Sequence, residues 1–151
     1  MIAFDTNFLV YAHRGEVPQH AIASRLLARV LEDERPWALP WPCAHEFFSI
    51  VTNTKIWAQP TTPLQAWSVI RDLLQLPGAN VIGEGVNHLD TLERFIRSGQ
   101  VRGGMIHDAR VAAICIANGV NEIWTADRDF SRFPELKTYN PFQEAHGRQR
   151  H

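Results

Sequence analysis

Most of the sixteen acidic residues in this chain lie among polar neighbours, as Glu32, Asp33 and Glu34 do at the end of an amphipathic stretch. Asp5, Glu46, Asp108 and Asp127 are placed differently. Asp5 sits between the apolar runs Ile2-Ala3-Phe4 and Phe8-Leu9-Val10, where a charge is costly unless it is paired or binds a cation. It also has a plainer explanation as a helix N-cap, which Asp favours. Glu46 lies in Cys43-Ala44-His45-Glu46-Phe47-Phe48 and shares a helical face with Ile50 and Asn53; alone it could be a first-turn acid favoured by the helix dipole. Asp108 falls in the first turn of a strongly apolar segment. Asp127 and Asp129 follow an apolar strand, where Asp commonly closes a turn on itself.

Local explanations suffice for each acid singly, but together they bring four acids to one edge of a sheet. Two carboxylates about 5 Å apart repel by roughly 3 kcal/mol at an effective dielectric near 20. A group of three or four therefore calls for a divalent cation. All-oxygen donors point to Mg²⁺ or Mn²⁺. Such an ion activates water and neutralises charge on a phosphodiester during in-line attack. His45 and His107 adjoin two of these acids, but helix neighbours point in different directions, and both read as surface or internally satisfied histidines.

The elements that must carry these acids can be read from periodicity. Ile2 to Asp5 reads as a buried strand, followed by a helix over Asn7 to Ala12. Ile22, Leu26, Leu27 and Val30 recur at helical spacing between Gln19 and Glu34. Pro36 to Trp41 reads as a second strand and Cys43 to Thr54 as a helix. Pro63 opens a further helix that Pro77-Gly78 stops. Asn80 to Ile82 is a short strand. Val86, Leu89, Leu92, Phe95 and Ile96 mark a helix closing near Gly99. Met105 to Asn118 is apolar nearly all round and so predicts a buried helix. Strands follow at Glu122 to Ala126 and Lys137 to Tyr139. This alternation predicts an α/β sandwich with a mainly parallel sheet. In such sheets ligands bind beyond the carboxyl ends of the strands, where Asp5 and Asp127 fall.

A chain of 151 residues fits one domain, and 45% apolar residues is ordinary for a globular protein. No apolar run approaches the roughly 20 residues needed to cross a bilayer, and MIAFDTN lacks the features of a secretory signal. Cys43 and Cys115 have no partner at metal-ligand spacing and read as reduced core cysteines, which predicts a cytoplasmic protein without a membrane association. The net charge of −1 announces no nucleic-acid partner. Thirteen arginines against two lysines is lopsided. Arginine's planar fork suits phosphate, and it equally suits ion pairs.

The ordered set FDTNFLVYAH, PWPCAHEFFSIVTN, GMIHDARVAAICIANG and IWTADRDFSRF resembles the successive motifs of PIN-domain nucleases, most like the VapC-type toxins of bacterial toxin–antitoxin pairs. The resemblance runs from Ile2 to about Phe142. It implies a three-layer α/β/α sandwich over residues 1–142; the remaining stretch, 143–151, is polar and reads as a flexible tail. The resemblance places the family's four acids on Asp5, Glu46, Asp108 and Asp127. Thr125 matches the hydroxyl residue two before the last acid, and Asn7 a polar companion of the first. Asp129 shares or replaces the role of Asp127. It also implies Mg²⁺ or Mn²⁺ as cofactor, RNA as substrate (often a structured RNA such as a transfer RNA), a homodimer and a cognate antitoxin whose tail fills the acidic pocket or the groove beside it.

On this reading Asp5, Asp108, Asp127 and Asp129 hold the metal, and Glu46 helps orient the attacking water. Cleavage leaves a 5′-phosphate and a 3′-hydroxyl. Arg14, Arg102, Arg110 and Arg128 adjoin the motifs and are candidates for flanking phosphates, with surface ion pairs as the alternative. Trp41, Trp57, Trp67 and Phe130 are candidates for base stacking, although tryptophans in a small domain more often serve the core and dimer contacts. The segment from Trp57 to Trp67 is the candidate dimer face. Two other functions compete. A haloacid dehalogenase-type phosphatase also places an Asp after its first strand, but it needs a second Asp where Asn7 stands and a suitable lysine, and the chain has Lys55 and Lys137 alone. A catalytically silent PIN-like module that binds RNA or a partner has no need of an intact acid set.

Overall fold

The computed structural model describes residues 1–143. Apart from Gln143, the tail expected over 143–151 lies outside the described residues. The elements run β1 (Ile2–Phe4), α1 (Thr6–His13), α2 (His20–Glu32), β2 (Trp37–Pro40), α3 (Trp41–Val51), α4 (Pro63–Leu74), β3 (Ala79–Ile82), α5 (His88–Gly99), α6 (Ile106–Ala117), β4 (Glu122–Trp124) and β5 (Lys137–Tyr139). Short 3₁₀ turns occupy Gly103–Met105 and Arg128–Arg132.

The five strands form one parallel sheet in the order β3-β2-β1-β4-β5. Helices α1 to α4 pack on one another, and α5 packs on α6, which also meets the 3₁₀ turn after β4. Right-handed crossovers explain this division: the chain moves outward from β1 to β3, then returns past β1 to β4, so its connections change face. The result is the expected three-layer α/β/α sandwich. Reversal of direction between β1 and β4 makes the gap between their carboxyl ends the topological switch point, where open α/β sheets bind ligands. Asp5 ends β1 and Thr125 ends β4 at that gap.

The centre of the sheet is aromatic. The ring of Phe4 lies 4.9 Å from Phe8, 5.2 Å from Trp37 and 5.7 Å from Trp124. All four side chains are buried. Burying one such ring contributes roughly 1.5–3 kcal/mol, so this cluster fixes the strand ends firmly. Helix α6 is as enclosed as its composition predicts, with Ala109 and Val111 through Cys115 all buried. Cys43 and Cys115 are buried free thiols.

Several expectations shift. Strand β2 passes directly into α3 at Trp41, two residues earlier than expected, because Pro42 needs no amide partner in a first helical turn. Val86 is fully exposed and Leu89 is 80% exposed, so neither belongs to the inward face of α5. The helix begins only at His88, and six residues carry Leu89 about 120° around it from the buried Phe95. Phe130 is buried among core residues and is not a base-stacking surface. Among the described residues no helix is long and apolar enough to cross a membrane.

Candidate active site

Asp5 is the N-cap of α1 and at the same time is held from across the sheet. Its Oδ1 accepts the Thr6 amide at 2.8 Å, capping α1. Its Oδ2 accepts the Thr125 hydroxyl at 2.6 Å, from the strand on the far side of the switch point. The Asp5 amide in turn donates to the Trp124 carbonyl at 3.1 Å, extending β1 by one step against β4. Asn7 closes this corner. Its Oδ1 accepts the Ala126 amide at 3.2 Å, and its Nδ2 lies 3.5 Å from both Asp5 Oδ2 and Thr125 Oγ1. Burial pushes the Asp5 carboxyl above its ordinary pKa; the Thr125 and Thr6 bonds oppose that push and the Glu46 charge adds to it.

Asp108 is the third residue of α6, and its side chain makes no hydrogen bond among the described residues. It does not cap the helix and points toward the other acids. One carboxylate oxygen each from Asp108, Asp127 and Asp129 lie within 4.8 Å of one another. The Asp108 carboxyl is pushed up to about 7, first by burial and then by the charges of Asp127, Asp5, Asp129 and Glu46. All five acids therefore act on one small volume. Asp127 also forms the expected turn, accepting the Asp129 amide at 2.9 Å, and its own amide donates to Thr125 Oγ1 at 2.9 Å. Thr125 thus links the first acid to the last.

Glu46 is exposed and stands on the wall of an open cleft of about 480 Å³, lined with it by Asp5, His45, Ser49, His107, Asp108 and Arg110. Its Oε2 accepts the Thr6 hydroxyl at 3.3 Å. Thr6 and Cys43 were not singled out by the sequence, yet both touch Asp5 (the Cys43 thiol at 3.6 Å). The available signal was spacing: Thr6 follows the cap, and Cys43 precedes Glu46 by one helical turn.

The arginine candidates separate sharply. Arg14 is buried and committed to structure. It bonds Glu16 at 2.6 Å, Thr61 at 3.0 Å and the Gln59 carbonyl at 2.9 Å, and its guanidinium lies 4.2 Å over the Trp57 ring. Its phosphate role is therefore set aside, and so is Trp57 as a free stacking surface. Arg110 lines the cleft and is ion-paired with Glu84 at 2.6 Å. Arg102 and Arg128 are exposed and make no ion pair among the described residues. Trp41 stacks on His45 with centroids 5.8 Å apart, and Trp67 is partly exposed on α4. Neither Lys55 nor Lys137 lines the acidic cleft.

A parallel sheet with carboxylates clustered at its switch point, beside an open cleft, defines an arrangement that could hold a divalent cation. A family model for the PIN domain matches residues 2–136. "Ribonuclease VapC43" of Mycobacterium tuberculosis is 35% identical over 142 residues, which cover 93% of this chain and 95% of that protein. The chain belongs to the PIN-domain family, among its VapC ribonucleases. Solved structures agree in fold. The crystal structure of VapBC2 from Rickettsia felis bound to a promoter DNA fragment matches with a TM-score of 0.65 at 19% identity, over 93% of this chain and 98% of that one. That of Mycobacterium tuberculosis VapC20, described as a sarcin-ricin loop cleaving toxin, matches with a TM-score of 0.64 at 18% identity, over 87% and 93% of the two chains.

Proposed function

We propose that this protein is a Mg²⁺- or Mn²⁺-dependent endoribonuclease, the toxin of a cytoplasmic toxin–antitoxin pair, whose nuclease domain spans residues 1–142. The observation that carries the reading is the convergence of Asp108, Asp127 and Asp129 within 4.8 Å, beside an Asp5 held by Thr125. The donor set fits a hard divalent cation: every donor is a carboxylate oxygen, and Asp108 has no other partner among the described residues. Relatives named as VapC ribonucleases support RNA as the substrate class, and a neighbour described as cutting the sarcin-ricin loop supports a structured RNA.

Asp108, Asp127, Asp129 and Asp5 would hold the ion, which when bound supplies charge neutralisation at the scissile phosphate and lowers the pKa of water. Thr125 and Asn7 fix the Asp5 carboxylate. Glu46, which lines the same cleft as Asp5 and Asp108, would help orient the attacking water for in-line attack. Arg110, held by Glu84 through Nε, keeps its terminal nitrogens for a phosphate oxygen. Neighbours solved as toxin–antitoxin complexes support a protein partner. A second copy would dock on the exposed apolar residues Ile56, Leu64 and Trp67. A silent binding module has no use for a full acid set. An aspartyl phosphatase would need an acid where Asn7 anchors Ala126.

The test is incubation of total RNA with purified protein in Mg²⁺, in Mn²⁺ and in EDTA, beside Asp5→Asn. Discrete fragments that depend on the metal and vanish in the variant are expected. Equal cleavage by Asp5→Asn, or metal binding without turnover on any RNA, would overturn the assignment.

A further inference from the structure

A second cleft, of about 270 Å³, opens at the carboxyl ends of β4 and β5 and is lined by Thr125, Asp127, Arg128, Ser131, Thr138 and Asn140. It meets the acid cluster at Asp127, which belongs to both, so the carboxylates stand between this cleft and the one containing Glu46. Its polar groups are unusually unengaged. The side chains of Arg128, Ser131 and Thr138 make no hydrogen bond or ion pair among the described residues. Asn140 uses its Oδ1 to accept the amides of Phe142 and Gln143 at 3.0 and 3.1 Å, which fixes the side chain and leaves its Nδ2 without a partner among the described residues. One cation and three further donors thus face a single small hollow beside a centre that handles phosphodiesters.

Resting on the nuclease reading above, we propose that this cleft is the subsite for the nucleotide adjoining the cut bond, with Arg128 on its phosphate and Ser131, Thr138 and Asn140 on its sugar and base edge. The hollow is on the scale of one nucleoside and cannot admit a duplex, so the strand enters it unpaired, as is usual for sequence-reading RNA sites. A chain crossing the acids from the Glu46 cleft reaches this cleft next. Asn140 and Thr138 offer the hydrogen bonds that distinguish one base from another, and Arg128 supplies sequence-independent attraction.

Two measurements test this. The first is binding of a fluorescent single-stranded oligoribonucleotide to full-length Asp5→Asn protein in Mg²⁺, before and after adding Arg128→Ala, Thr138→Val or Asn140→Ala. Arg25→Ala, an exposed arginine on α2 outside both clefts, is the charge control. Arg128→Ala is expected to weaken binding about tenfold and to lower the slope of log affinity against log salt by about 0.7. Thr138→Val is expected to weaken binding with the slope unchanged. The second measurement is cleavage by the same variants carrying native Asp5, where KM rises more than kcat falls. If Arg128→Ala behaves like Arg25→Ala and Thr138→Val binds like its parent, the subsite is wrong while the nuclease reading stands. If native protein cuts no RNA, the nuclease reading fails, and the binding arm still reports on the cleft.

Discussion

The Thr125 hydroxyl donates to Oδ2 of Asp5 at 2.6 Å across 120 positions of sequence. This bond spans the switch point and fixes the direction in which the buried carboxylate offers its remaining lone pairs. Thr125→Val keeps the shape and removes the donor. Metal affinity, read by Mn²⁺ titration calorimetry, is expected to fall about tenfold, with cleavage falling at least as far, and Thr125→Ser is expected to restore most of both. Undiminished Mn²⁺ binding in the valine variant would show that Asp5 needs no such orientation.

Asp108 makes the metal-free protein sensitive to pH. Its folded pKa of about 7 lies above the ordinary 3.8. Between those values the folded chain keeps a proton that the unfolded chain has lost, so this group's contribution to stability declines as pH rises through that window and is constant above it. In EDTA at pH 8, Asp108→Asn is expected to melt higher than the native chain, by about 3 °C for each kcal/mol relieved, with the gap closing toward pH 4. Solvent screening at this half-buried site holds the relief to about 1 kcal/mol. The same variant should cleave nothing. A lower melting temperature at pH 8 would mean that Asp108 is a stabilising residue instead.

A cation bound by Asp108 would have to displace that proton. Apparent Mg²⁺ affinity at constant ionic strength is expected to rise about tenfold per pH unit up to about 7 and then level off. A flat profile from pH 5 to 8 would remove Asp108 from the ligand set.

Arg14 is predicted to matter for folding and not for RNA. It ties the end of α1 to Glu16, Thr61 and Gln59 and covers Trp57. Arg14→Ala is expected to cost about 2 kcal/mol or more in urea unfolding, because the buried Thr61 hydroxyl loses a donor and Trp57 loses its covering guanidinium. The salt slope of RNA binding should not change. A reduced slope with native stability would return Arg14 to the phosphate contacts.

The ends of the strands were legible because an acid among apolar residues is a strong local signal. Asp5 stood out that way, Asp108 and Asp127 stood out at the ends of apolar elements, and Glu46, unremarkable alone, was joined to them by the family resemblance. Sequence could not rank the arginines. Arg14 and Arg128 look alike in one dimension, and only packing shows one beneath a loop and the other beside an open cleft. Leu89 and Val86 misled for a related reason: spacing of three residues drifts around a helix, so a set that begins one turn too early faces outward. Thr6 and Cys43 gave little sign, since their contribution consists in touching Asp5.

The strand order carries a consequence for the life of the molecule. Neighbours at the centre of the sheet, β1 and β4, are the first strand and the fourth of five, so the acid cluster is completed only by residues more than a hundred positions from Asp5. Contacts so distant in sequence are slow to form, because a long loop must close before they can reward it. A chain in which the pairing of β1 with β4 fails loses its acid cluster at the same moment, so its catalytic potential is tied to completion of the centre of the sheet.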